Sequence, residues 1–190
     1  TIAATYNDKR LSSPNDAIFH SNGDLFFTDP PYGLKDGRKD KNKTLPFDGI
    51  YRLSPAGEVT LADDSILYPN GIVLSTDESS VFVAASDSSA AKWYQFDLDD
   101  SGIFSNKRVF FDATNLIGKE GENGLPDGMV MHSNGYLFAT GPGGVFIFKQ
   151  NGELLAKIRT GKATANCTLS ADEKTLYMTA HDTLMSVPLK

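Results

Sequence analysis

The sequence holds a single cysteine, Cys167, so no disulfide can close within the chain. It has no apolar run near the roughly 20 residues that a membrane-spanning helix needs. No stretch keeps a helical hydrophobic period between caps. A basic excess is lacking as well: 18 Lys and Arg stand against 24 Asp and Glu, a net charge of -6. Nucleic acid is held by a basic face, so neither nucleic acid nor a membrane is expected as a partner. What is present is ordinary globular material, 40% hydrophobic and 22% charged over 190 residues. That suffices for one domain with a substantial core, and residues 1–190 are read as one. The first residues, "TIAATYNDKR", contain no Met and run directly into a strand-like pattern. No signal segment is visible, and the pattern leaves the compartment open.

Four segments repeat along the chain. They are "PNDAIFHSNGDLFFTDP" from Pro14, "PNGIVLSTDESSVFVAAS" from Pro69, "PDGMVMHSNGYLFATGP" from Pro126 and "ANCTLSADEKTLYMTAH" from Ala165. Each has a small or polar opener, an alternating strand, a turn rich in Asn, Asp or Gly, and a more apolar strand. Aligned this way, the openers Asn15, Asn70, Asp127 and Asn166 stand 55, 57 and 39 residues apart. Further β-rich runs follow, such as "GIYRLSP", "AKWYQFDLD" and "GVFIFKQ". The spacing predicts an all-β chain, a β-propeller with blades of four antiparallel strands, of which this sequence supplies about four blades. "TIAATY" reads as the outer strand of a preceding blade. The count is then sixteen strands, with three in the last blade. A four-blade ring closed by 1–6 and a partial, larger wheel with open edges both satisfy that count. Open edges invite self-association with another chain.

In a propeller the innermost strand of each blade lines the axial channel. Asn15, Asn70 and Asp127 should therefore converge at one end of it. Two amide carbonyls and a carboxylate form an all-oxygen set, suited to a hard cation such as Ca²⁺. One carboxylate neutralises half a dication, so a second acid is expected, and Asn166 does not provide it. Pro-Asn-Gly and Pro-Asp-Gly are also common turn sequences, and the residues alone leave both readings open.

"SPNDAIFHSNGDLFFTDPPYGL", "YPNGIVLSTDE" and "GLPDGMVMHSNGYLFATGPGGVFIF" closely resemble the senescence marker protein/gluconolactonase family, itself similar to the regucalcins. "ANCTLSADEKTLYMTA" resembles it too, so the likeness covers essentially the whole chain. It implies a six-bladed propeller with an axial divalent cation, most often Ca²⁺, with Zn²⁺, Mn²⁺ or Mg²⁺ as alternatives. It implies hydrolysis of a small sugar lactone such as gluconolactone. By position, it makes Asn70 and Asp127 metal ligands, and Asn15 a contact to the metal or to the substrate beside it. The family's remaining ligand is a Glu in an "EGP"-like stretch, which this sequence does not contain, as if it began about two blades in. Asp29, in "TDPPYG", falls where some of these lactonases place a polar residue near substrate. The implied chemistry is metal-assisted ester hydrolysis, with Asp127 as ligand first and base second, and Asn15 beside it.

Other features read as structural. His20 and His132 flank equivalent "HSNG" turns. Cys167 starts an inner strand and is expected to be buried. Trp93 and Tyr94 should pack between blades. "DLDDSG" imitates an EF-hand start, but its twelfth position is Arg108 and strands flank it. "NKT" and "NCT" match the glycosylation pattern and nothing more. Tyr32, beside the charged loop Leu34–Gly49, is a candidate substrate contact if that loop caps the channel. Two other functions fit the same pattern: a non-catalytic propeller module that assembles with another chain, and a phosphotriesterase-like hydrolase.

Overall fold

Each Asn- or Asp-rich turn joins two antiparallel strands. The computed structural model describes residues 1–189. After a short hairpin of β1 (Thr5–Tyr6) and β2 (Lys9–Arg10), the strands group into four sheets. The first blade is β3 (Ala17–Phe19), β4 (Leu25–Asp29), β5 (Gly49–Leu53) and β6 (Val59–Asp63). The second is β7 (Pro69–Leu74), β8 (Ser80–Ala85), β9 (Lys92–Leu98) and β10 (Phe104–Asp112). The third is β11 (Met129–Met131), β12 (Leu137–Gly141), β13 (Gly144–Phe148) and β14 (Leu154–Arg159). The fourth has β15 (Thr164–Leu169), β16 (Thr175–Ala180) and β17 (Thr183–Pro188). Every pairing is antiparallel between neighbours in sequence, which makes this the four-blade β-propeller arrangement that the repeat predicts. Two 3-10 turns, Gly37–Lys39 and Thr114–Leu116, lie in connections.

Period-two alternation explains how the blades stack. On β8, Val81, Val83 and Ala85 face the first blade and pack with Phe26 and Ile50. Phe82 and Ala84 face the other way, onto Met129, Leu137 and Phe146 of the third. On β9, Phe96 and Leu98 join the first cluster and Trp93 the second. Trp93 is fully buried, its ring 5.2 Å from Phe146 and 5.7 Å from Phe148. It is the inter-blade residue the sequence suggests. Side chains of this size each contribute about 1.5–3 kcal/mol on burial. A further cluster joins Phe138 and Val145 of the third blade to Cys167, Leu176 and Met178 of the fourth. Blade packing therefore runs in chain order, β3 and β4 on β7, β7 on β11, and β11 to β13 on β15.

One of the two alternatives for the first residues is removed, and one alignment needs correction. Thr1–Tyr6 does not complete the fourth blade. Asn7 and Asp8 adopt φ of +47° and +60°, a turn that folds β1 back onto β2. Tyr6 then packs on Tyr51, with ring centroids 5.2 Å apart. The fourth sheet has three strands. The alignment of Asn166 with the openers is also off by one. Ile72 pairs with Val83, Met129 with Ala139 and Cys167 with Met178. Asn166 thus matches Asp16, Gly71 and Gly128, and the fourth opener is Ala165. A one-residue slip moves a side chain to the other face of the sheet. Accordingly Asn166 Oδ1 accepts the N–H of Cys167 at 2.8 Å, as Asp16 Oδ1 accepts that of Ala17 at 2.9 Å.

The position after the opener explains why glycine follows it. A Cβ on Gly71 would lie 2.2 Å from the carbonyl oxygen of Asp127, and one on Gly128 would lie 2.2 Å from Asn166 Oδ1. Backbone meets the next blade at these two places.

Candidate functional site

The three openers meet at one end of the blades, as the spacing predicts. Asn15 and Asp127 are held by equivalent backbone bonds, Asn15 N–H to Thr28 O at 2.9 Å and Asp127 N–H to Thr140 O at 3.1 Å. The buried Thr28 hydroxyl donates to Asn70 O at 2.8 Å, and Gly128 N–H donates to Ala165 O at 2.9 Å. The first blade is thereby tied to the second through the Thr28 side chain, and the third to the fourth through backbone. The side chains continue the chain of contacts. Asn15 Nδ2 donates to Asn70 Oδ1 at 3.0 Å, and Asn70 Nδ2 donates to Ser86 Oγ at 2.9 Å. The Ser86 hydroxyl donates to Pro126 O, one residue before Asp127. Asn15, Tyr32, Asn70, Ser86 and Asp127 line an open cleft of about 500 Å³.

The cleft is electrostatically unbalanced. Burial pushes the Asp127 carboxyl up to about 6, and the nearby Asp16 carboxylate adds to the effect. The Gly128 N–H and the Asn70 amide oppose it without cancelling it. Among the described residues, Asp127 enters no ion pair. Asp16 is raised by burial as well, although Ile72 N–H and Ala17 N–H bond its two oxygens. Its contact to Ile72 makes it a clamp between the first two blades.

A pH dependence follows. The folded Asp127 pKa lies above its ordinary 3.8. Between about 4 and 6 the folded state therefore binds more protons than the unfolded one, and cation-free stability falls as pH rises through that window. Thermal melts in chelator should show wild type losing stability relative to Asp127→Asn as pH rises through that window.

The donor set suits a hard cation. Asn15 and Asn70 can present carbonyl oxygens, and Asp127 is a half-buried carboxylate without a counter-charge among the described residues. Among the described residues, no three His, Cys, Asp or Glu side chains cluster at metal-binding distance. The oxygens present fit such an ion but leave it one carboxylate short.

The remaining candidates separate. Tyr32 lines the cleft. Asp29 does not: it is wholly buried, and its two oxygens accept Ser12 N–H at 2.8 Å and Ser13 N–H at 2.7 Å. Both oxygens are used in fixing the segment that leads into Asn15, so direct substrate contact is not where the geometry places it. His20 and His132 flank their turns, with Nδ1 accepting Asn22 N–H and Asn134 N–H at 3.1 Å each. They also approach Glu78 and Glu173 of the following blades. Cys167 is buried, its thiol pushed up to about 12 by desolvation. Sequence reading missed Ser86, whose only signal is its place after the strand that pairs with the Asn70 strand.

Comparison with known proteins places the chain in a family. Residues 1–182 match the model of the SMP-30/Gluconolactonase/LRE-like region. A gluconolactonase of Zymomonas mobilis is 35% identical over 191 residues, covering 100% of this chain and 54% of its own length. Lactonase drp35 of Staphylococcus aureus is 30% identical over 147 residues, 76% of this chain and 41% of its own. The solved gluconolactonase of Xanthomonas campestris matches with a TM-score of 0.84 at 30% identity, covering 99% of this chain and 60% of that one. The chain thus spans about half the length of the curated relatives it matches. With the family model matched over nearly its whole length, the chain belongs to the SMP-30/gluconolactonase/LRE-like family.

Proposed function

We propose that this chain carries the larger part of the catalytic cleft of a sugar-lactone hydrolase. The observation behind this reading is the convergence of Asn15, Asn70 and Asp127 from three successive blades around a half-buried carboxylate that enters no ion pair among the described residues. The relatives named gluconolactonase and lactonase supply the substrate class.

Asn70, Asp127 and Asn15 would hold a divalent cation, Ca²⁺ by donor type, with Zn²⁺, Mn²⁺ and Mg²⁺ as alternatives. When bound, such an ion supplies Lewis-acid polarisation of a lactone carbonyl and charge stabilisation for the oxyanion. Asn15 is the exposed member of the trio, and its amide can orient a substrate oxygen. Asp127, with a pKa near 6, can take the proton of the attacking water at neutral pH. A carboxylate held on a dication has a lowered pKa, so the ligand role comes first and the base role second.

The test is hydrolysis of glucono-1,5-lactone with and without chelator. Turnover that disappears with chelator and returns with Ca²⁺ supports the reading. Turnover insensitive to chelator removes the cation from it. A phosphotriester run in the same assay tests the alternative hydrolase activity. A second reading, self-association, has its own observation: β17 is the outer strand of a three-stranded sheet, and Leu184 on it is 72% exposed. Sedimentation velocity would show a monomer if that edge stays free.

A further inference from the structure

The charged loop 34–49 has a buried interior. Asp48 is 1% exposed, and its carboxylate pairs with Arg38, with Lys43 Nζ at 3.2 Å and with the backbone N–H of Tyr68 at 3.2 Å. Tyr68 stands immediately before the Pro69-Asn70 opener with φ +52°, in the left-handed region that bulky residues rarely adopt. Its carbonyl is fixed too, accepting Ser86 N–H at 3.0 Å and the Tyr32 hydroxyl at 3.1 Å. Backbone in this state persists where its surroundings over-determine it. Here both the N–H and the carbonyl are held.

The result is an ordered aromatic tier. The Tyr68 and Tyr32 rings are nearly parallel, at 10° with centroids 6.3 Å apart. The Arg38 guanidinium lies over the Tyr68 ring at 5.7 Å. Tyr32 is the member that reaches the cleft, and it is 45% exposed. Its hydroxyl donates to Tyr68 O and lies beside Ser86, another residue of the cleft, so its position is fixed and its exposed ring surface is left for contact. The same cleft is lined by oxygen and amide groups: Asn15, Asn70 and Asp127. A polyhydroxylated six-membered ring has matching sides. Its C–H face is apolar, and its oxygens radiate from the rim. The cleft, at about 500 Å³, is of a size for such a molecule.

We infer that Tyr32, backed by Tyr68, is a stacking platform for the C–H face of a sugar-lactone ring, with Asn15, Asn70 and Asp127 meeting its oxygens. This rests on the lactone-hydrolase reading and deepens it. The platform selects a hydroxylated ring over a bare cyclic ester by placing it where its hydroxyls find partners. Alkyl-substituted lactones present no such rim.

Two lactams that resist hydrolysis test binding apart from turnover. Calorimetric titration of the chain, with Ca²⁺ present, compares gluconolactam with unsubstituted δ-valerolactam. The wild-type chain should bind gluconolactam and discriminate against valerolactam. Tyr32→Ala should weaken gluconolactam binding by about tenfold, the loss of one aromatic contact. Tyr32→Phe, which keeps the ring, should stay within about threefold of wild type. Unchanged binding in Tyr32→Ala overturns the platform. So does an equal loss in both variants, because the hydroxyl would then be the determinant, and so does failure of the wild-type chain to bind gluconolactam. Gluconolactam binding without gluconolactone turnover would instead remove the hydrolytic reading and leave the platform standing.

Discussion

Asp127→Asn is expected to lower gluconolactone turnover by at least about a hundredfold, the scale of losing a charge-stabilising or proton-accepting group. The substitution conserves size and one carbonyl oxygen. It removes the sole carboxylate of the three openers, leaving three neutral amides facing the cleft. A dication set against neutral oxygens alone should bind far more weakly. Measured together, kcat and calorimetric Ca²⁺ affinity separate the two roles assigned to Asp127. Loss of both fits a ligand. Retained affinity with lost turnover fits a base. A kcat within about twofold of wild type would remove Asp127 from the mechanism. The same change also removes the half-buried charge that the Asp16 carboxylate opposes. Without cation the variant should therefore be the more stable chain above pH 6, a site that is costly to fold and useful only when filled.

Asp48→Ala is expected to destabilise the chain by about 3–5 kcal/mol, the usual result of removing one partner from a buried ion pair. Lys43 is the reason. Its side chain is 6% exposed, so its ammonium cannot turn out to water as readily as Arg38, which is 30% exposed. Lys43 would keep its bonds to Phe47 O and to Ser12 Oγ but lose its counter-charge. For a chain of this length the melting temperature should drop by roughly 6–20 °C. Tyr68 would simultaneously lose the acceptor of its N–H. A melting temperature within about 2 °C of wild type would show that the cluster carries little stability.

Much of the fold was legible because its signals are local. Turns such as "HSNG" and alternating runs such as "SVFVAA" announce hairpins within a dozen residues, and their recurrence announces blades. Asn15, Asn70 and Asp127 were legible because repetition placed each at the start of an inner strand. The slip at Asn166 was not. Its segment keeps the strand and the turn but has no Pro before the opener to mark where the repeat begins. Asp29 was misplaced because adjacency to a loop says nothing of side-chain direction, which Ser12 and Ser13 decide. Ser86 and Asp48 were invisible for a further reason. Their partners, Pro126 and Tyr68, lie 40 and 20 residues away, and only the packed blades bring them into reach. A run of charges such as "KDGRKDKNK" reads as solvated, yet Arg38 and Lys43 from it close over a buried acid.

The absence of any Cβ at Gly71 and Gly128 has a consequence for divergence. Opener-to-opener spacing is set there by main chain against the neighbouring blade, 2.2 Å from where a methyl would stand. Opener side chains add to this frame, as the Asn15–Asn70 bond does, without replacing the close approach at the glycines. Swapping an amide for an acid, or an acid for an amide, then changes which ion or substrate is preferred while the frame keeps its dimensions. A frame held in this way lets the openers change chemistry one residue at a time around a single hub.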